Sequence, residues 1–143
     1  MKDVKIIPEN INLFYIKVSE CIINDSQKDE RLNYGINVAH NIQNNLKEEK
    51  IRIELILDIK SSDANNEFNA NFNIDFQFKI KDLADYYEKD NKEPVFDGLF
   101  ISTLMGISFS TARGIIFERL SKTNMRNVIL PVVSPSKLLF KDQ

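Results

Sequence analysis

The sequence predicts an α+β fold, a four-stranded antiparallel sheet with helices packed on one face. Three observations predict it. Between residues 68 and 80 the chain alternates without an error: Phe68, Ala70, Phe72, Ile74, Phe76, Phe78 and Ile80 are apolar, and every residue between them is polar. Residues 51–60 repeat the pattern with Ile51, Ile53, Leu55, Leu57 and Ile59. Beyond residue 94 the apolar spacing changes from two to the three-and-four spacing of a helix. Successive strand side chains point to opposite faces, so each alternating run needs a dry side and a wet one. Half-wet sheets are antiparallel, and strands followed by helices argue for helices segregated to one face.

Taken in order, the first strand is expected over residues 13–23. Phe14, Ile16, Val18 and Ile22 make one face and Tyr15, Lys17, Ser19 and Cys21 the other; Glu20 breaks the apolar side, so the strand should end or bulge there. A charged loop (25–31) follows, then a weaker strand over 35–43 with Ile36, Val38 and Ile42 in step, then a polar connection (44–50). The turn residues 61–66 join the two clean strands into a long hairpin. Residues 82–93, with Tyr86 and Tyr87, read as a polar surface excursion.

Phe96, Leu99, Phe100, Thr103 and Leu104 then form a helical stripe, with Ile101, Met105 and Ile107 on the remaining sides. A helix apolar nearly all round is buried on more than one side. The simplest second cover is another subunit, which makes Phe96, Leu99, Phe100, Ile101, Leu104 and Met105 the candidate oligomer interface. Ser108 or Ser110 can cap a second helix, with Phe109, Ala112, Ile115, Ile116 and Leu120 on one face and Arg113, Glu118 and Arg119 away from it. Residues 128–133 are an apolar extended run interrupted by Pro131, and Ser134-Pro135 starts a short last helix. The whole chain, 1–143, is expected to be one domain, with strands within 11–81 and helices within 94–141.

Composition narrows the function. The chain has 43% apolar and 28% charged residues and a net charge of −2, the profile of a globular protein without the basic stripe that nucleic acid requires. The N-terminal residues lack the apolar run of a signal peptide, and no segment reads as long enough to span a bilayer. One cysteine rules out an internal disulfide and fits a reducing compartment, so a cytoplasmic location is expected. Four glycines, three of them in helical patterns, leave no Gly-rich phosphate loop.

Catalytic chemistry finds little to work with. His40 is the sole imidazole and shares parity with Ile36, Val38 and Ile42, so it reads as a half-buried strand residue. A metal site or triad needs partners that the sequence does not provide. Cys21 with His40 as base would make a nucleophilic pair if their strands were neighbours; the plainer reading of Cys21 is a small apolar strand residue. The paired carboxylates fall in loops. Asp75 stands apart, as the one acid on the polar side of the 68–80 strand. No cofactor and no enzyme activity are expected.

The C-terminal third carries a resemblance. Phe109-Ser-Thr-Ala-Arg-Gly-Ile-Ile116, followed by Val128-Ile-Leu-Pro-Val-Val-Ser-Pro-Ser-Lys-Leu-Leu-Phe140, resembles the SecB protein-export chaperone family. In that family an Ala-Arg pair lies in the long helix, an extended Leu-x-Pro-Val crossover follows, and the final helix begins Leu-rich. Ala112-Arg113, Leu130-Pro131-Val132 and Leu138-Leu139-Phe140 match. The resemblance implies a dimer or dimer of dimers that holds unfolded or precursor polypeptides without ATP and delivers them to SecA. It places the client groove at Val132, Val133, Leu138, Leu139 and Phe140, to which outward-pointing Ile56 is our own addition, and it makes Asp75 the SecA-docking candidate. Lys17 and Ser19, where the family carries acids, weaken that docking face. An antitoxin, the partner of SecB-like proteins in toxin–antitoxin systems, is therefore the alternative client. The rival classes are a hot-dog-type enzyme, disfavoured because its central helix comes early, and a plain interaction or assembly protein.

Overall fold

The computed structural model describes residues 4–24, 34–61, 68–90 and 92–139. Four strands, β1 (Ile11–Asn24), β2 (Tyr34–Asn45), β3 (Lys50–Ser61) and β4 (Asn69–Ile80), form one antiparallel sheet in the order β1-β4-β3-β2. The two cleanly alternating strands are its central pair. Ile51 faces Phe78, Ile53 faces Phe76, Leu55 faces Ile74, Leu57 faces Phe72 and Ile59 faces Ala70, and all ten side chains are fully buried. Burying each large one contributes about 1.5–3 kcal/mol. The connection between β2 and β3 is tighter than expected: β2 runs to Asn45, and Glu49 takes a left-handed φ of 56° to enter β3. The expected loop 25–31 lies outside the described residues, and so does all but Ser61 of the expected 61–66 turn, Ser61 being the last residue of β3.

The bulge expected at Glu20 is present, but a second one lies between Leu13 and Tyr15. Each bulge inserts a residue and resets which side chains face inward. Leu13, Ile16, Val18, Cys21 and Ile23 therefore pair with the inward residues Phe78, Phe76, Ile74, Phe72 and Ala70. Ile22 instead pairs with outward Asn71, and the residue skipped at the first bulge, Phe14, has the Lys50 ammonium 5.6 Å from its ring centroid. The expected face of Phe14, Ile16, Val18 and Ile22 is thus corrected: Phe14 and Ile22 leave it and Cys21 joins it.

The 82–93 stretch is not a simple polar excursion. A 3-10 turn (Leu83–Tyr86) leads into a hairpin of β5 (Tyr87–Asp90) and β6 (Glu93–Phe96), strands that lie beyond the expected 11–81 window. Tyr86 is buried, its ring stacked 4.4 Å from that of Phe100. Phe96 in turn meets Tyr87 edge-on at 5.5 Å.

A single helix, α1 (Gly98–Leu120), replaces the two expected. Asp97 caps it, its Oδ2 accepting from Phe100 N at 2.9 Å. Neither Ser108 nor Ser110 is a cap. Ser108 is buried mid-helix and satisfies its hydroxyl by donating to Leu104 O at 2.9 Å, the back-bond open to a helical serine. The buried series Phe100, Leu104, Ser108, Ala112, Ile116 and Leu120 repeats every fourth residue and covers the inner face of the sheet. This 23-residue helix is long and apolar enough to cross a membrane, contrary to the expectation that no segment would be; a core helix passes the same test. After α1, residues 128–134 run extended to α2 (Pro135–Leu139), which begins at Ser134-Pro135 as expected.

Candidate binding surfaces

Two surfaces carry the candidate residues, and the sheet separates them. On the inner side, the crossover at residues 128–133 belongs to no sheet, and its buried–exposed alternation stops at Leu130, since Pro131 and Val132 are both exposed. Val128 and Leu130 are buried, whereas Ile129 is 57% and Val132 84% exposed. Side chains hold this segment from two layers. The Tyr34 hydroxyl, at the start of edge strand β2, donates to Ile129 O at 3.1 Å and accepts from Ile129 N at 3.4 Å. Arg113 Nε, from the middle of α1, donates to Leu130 O at 3.0 Å. Arg113 was expected to point away from the packed face; it is half-buried because it serves the crossover.

Next to the crossover a groove of about 710 Å³ lies between the start of α2, Ser134 to Ser136, and the outward side of α1, where Leu99, Gly106 and Ile107 line it. Gly106 and Pro135 approach closely in it, a Cβ at 106 sitting 3.1 Å from Pro135 Cγ, a tight contact. Of the expected client residues, Val132 is exposed, Val133 and Leu139 are half-buried, and Phe140 lies outside the described residues. Leu138 is corrected: at 5% exposure it anchors α2 in the core. Ile56 is corrected as well. It pairs with Ala39 and Asn73 on the outer face and lines a hollow there with Asp58, Lys60 and Asn71, so it shares no groove with the crossover.

The expected oligomer face divides in the same way. Phe100, Leu104 and Met105 are fully buried within one subunit, so they are core rather than interface. Phe96 and Ile101 are half-buried, and Leu99, at 59% exposure, is the free one. Phe117, which the sequence reading did not single out, is exposed near the other end of α1.

On the outer face, Asp75 is 8% exposed and is not a free acid. Arg52, diagonally across on β3, donates from Nε to Asp75 Oδ1 at 2.8 Å, and Gln77 Nε2 lies 3.4 Å from Oδ2. The same guanidinium donates to Gln43 at 2.8 Å and lies 3.9 Å from Glu54. Asn41 Nδ2 donates to Glu54 at 2.9 Å. That bond, with help from Asn73 and Arg52 and against partial burial, holds the Glu54 carboxyl below the usual carboxylate range. Neutralised by arginine and amides, this face offers a basic partner no isolated carboxylate at Asp75.

Cys21 and His40 do not meet. Both sit on inner-face positions, but β1 and β2 are opposite edges of the sheet, three strand spacings or about 14 Å apart. The nucleophile–base pair is not formed, and Cys21 is a half-buried strand residue packed on the core.

An antiparallel four-stranded sheet with one long helix across it, an extended crossover and a short last helix is the SecB-like α+β fold. A structure that this chain resembles is the SecB-like chaperone Rv1957 of Mycobacterium tuberculosis, solved in complex with a ChAD peptide from the Rv1956 HigA1 antitoxin. It superposes with a TM-score of 0.64 over 88% of this chain and 91% of that one, at 8% identity. At that identity the likeness establishes the fold. By sequence alone, no family model and no curated protein matches the chain.

Acid stability tests the outer-face network. A carboxyl whose pKa is lowered on folding stabilises fully above its unfolded pKa, about 4.3, and loses that contribution as pH falls through the folded value. Glu54→Gln should therefore flatten the loss of stability below pH about 4, read from urea midpoints across pH. An unchanged acid limb would mean that Glu54 is not held by its neighbours.

Proposed function

We propose that this protein is an ATP-independent holdase that binds extended, apolar stretches of unfolded or precursor polypeptides along the crossover. The observation that carries the reading is Ile129 and Val132, both exposed on a segment that buried Val128 and Leu130 anchor in the core. A surface of that kind binds by burying apolar side chains, at about 25 cal/mol per Å² removed from water, and needs no reacting group. The fold it shares with a peptide-binding chaperone supports the same reading.

An antitoxin or similar dedicated client is the partner reading that we favour over delivery to SecA. Two points support it: the structural relative holds an antitoxin peptide, and Asp75 is occupied by Arg52. Assembly is part of the proposal. Leu99 and Phe117 leave apolar surface on the outward side of α1, which a second copy would cover as a dimer or dimer of dimers. A cytoplasmic site of action fits the lone, half-buried cysteine.

Two measurements test this function. The full chain at stoichiometric concentration, without nucleotide, should suppress aggregation of a chemically denatured client, and Val132→Ser should weaken the protection, whereas Asp75→Asn should leave it and any SecA affinity unchanged. No protection at any ratio would sink the holdase reading, and loss of SecA binding in Asp75→Asn would restore the docking role. Light scattering should give a dimer or tetramer, which Leu99→Lys with Phe117→Lys shifts toward monomer. A monomeric wild type would remove the assembly from the account.

A further inference from the structure

Adjacent carbonyls of an extended chain point to opposite sides. At the crossover, two consecutive ones are caught by side chains from different layers: Ile129 O by the Tyr34 hydroxyl from the sheet, and Leu130 O by Arg113 Nε from the helix. The Tyr34 oxygen also takes Ile129 N–H at 3.4 Å, so one phenol imitates the two-bond exchange of a β-ladder pair. The crossover thus gains strand-like definition while remaining outside the sheet.

Anchoring alone does not require this. Val128 and Leu130 are already buried, and they hold the segment against the core. What the tethers add is a fixed position for the Ile129 and Leu130 carbonyls, just before exposed Pro131 and Val132. Ordering a backbone segment costs entropy, and a ledge ordered before binding removes that cost from the association.

We propose that Tyr34 and Arg113 are positioning residues for client capture, clamping the crossover so that Val132 is presented outward in a preformed apolar ledge. The proposal rests on the holdase reading. Neither residue need touch the client; both act through Val132. The clamp also joins the two layers, so a client bound on the ledge leans on the sheet edge and on the middle of α1 at once.

The test is fluorescence anisotropy of fluorescein-labelled, reduced and carboxymethylated α-lactalbumin, a permanently unfolded probe, titrated with the full-length chain. Tyr34→Phe and Arg113→Met should each weaken binding about fivefold, the scale of one lost hydrogen bond. Arg113→Lys, which keeps a donor, should recover most of the loss. In a Val132→Ser background the same substitutions should change affinity by less than about twofold, because coupled residues are non-additive. A general destabilisation would instead weaken binding equally in both backgrounds, and that result overturns the clamp, as does undiminished binding in both variants. If Arg113→Met fails to fold, Tyr34→Phe, which removes one oxygen at a strand end, decides alone. A wild type that binds no probe would fail the holdase reading itself, an outcome distinct from failure of the clamp.

Discussion

The dry inner face of β3 and β4 is the constraint on which the rest of the structure depends. Ten side chains from Ile51 to Phe78 leave no polar group on that side, and the outer side is mainly charged and amide side chains, with Ile56 among them. One long helix satisfies the dry face. Its four-residue repeat of small and large side chains, with Ser108 and Ala112 among the aromatics and leucines, lets it lie close to the sheet. The turn and hairpin over 83–96 deliver the chain to the start of that helix, where Tyr86 of the turn stacks on Phe100. Because the helix is apolar beyond the face it buries, the fold leaves unspent apolar surface on its outward side and on the crossover that follows. The functional proposal starts from that surplus.

The two faces of the sheet then take different roles. The outer face closes on itself, with Arg52 reaching Asp75, Gln43 and Glu54. The inner side is covered but not closed, since the crossover exposes Ile129 and Val132 and a groove lies beside α2 where Gly106 closely approaches Pro135. The outer face also exposes Ile22 and buries Asn73 Oδ1 without a hydrogen-bond partner, so the binding reading rests on the exposed Ile129 and Val132 of the crossover and not on a division between a polar and an apolar side.

How much of this was legible in the residues follows from how local each signal is. The central strands were readable because a strand buried on one face along its whole length keeps strict alternation. β1 was misread because its bulges depend on a partner strand, which no local pattern reveals; only Glu20 betrayed one of them. The long helix was split because a serine followed by an apolar run looks like a cap, and Ser108 became interior only through its bond to Leu104 O. No cap was legible at Asp97, because the helical stripe begins at Phe96, one residue before it. Asp75 was placed on the correct face, but its pairing with Arg52 depends on the β3–β4 register. Val132 came from the family resemblance and not from the apolar run itself, and Ile129, three residues earlier, was not singled out. Tyr34 and Arg113 carried no sequence signal for the crossover, being 95 and 17 residues from the carbonyls they hold.

The most direct test of the central claim, that clients bind at the crossover and not on the sheet face, is site-specific photo-crosslinking. A photoreactive residue would be placed in turn at Val132 and at outward-facing Gln77, and irradiated with an unfolded client. The account predicts crosslinks from position 132 and none above background from position 77. Crosslinks from 77 with none from 132 would contradict it.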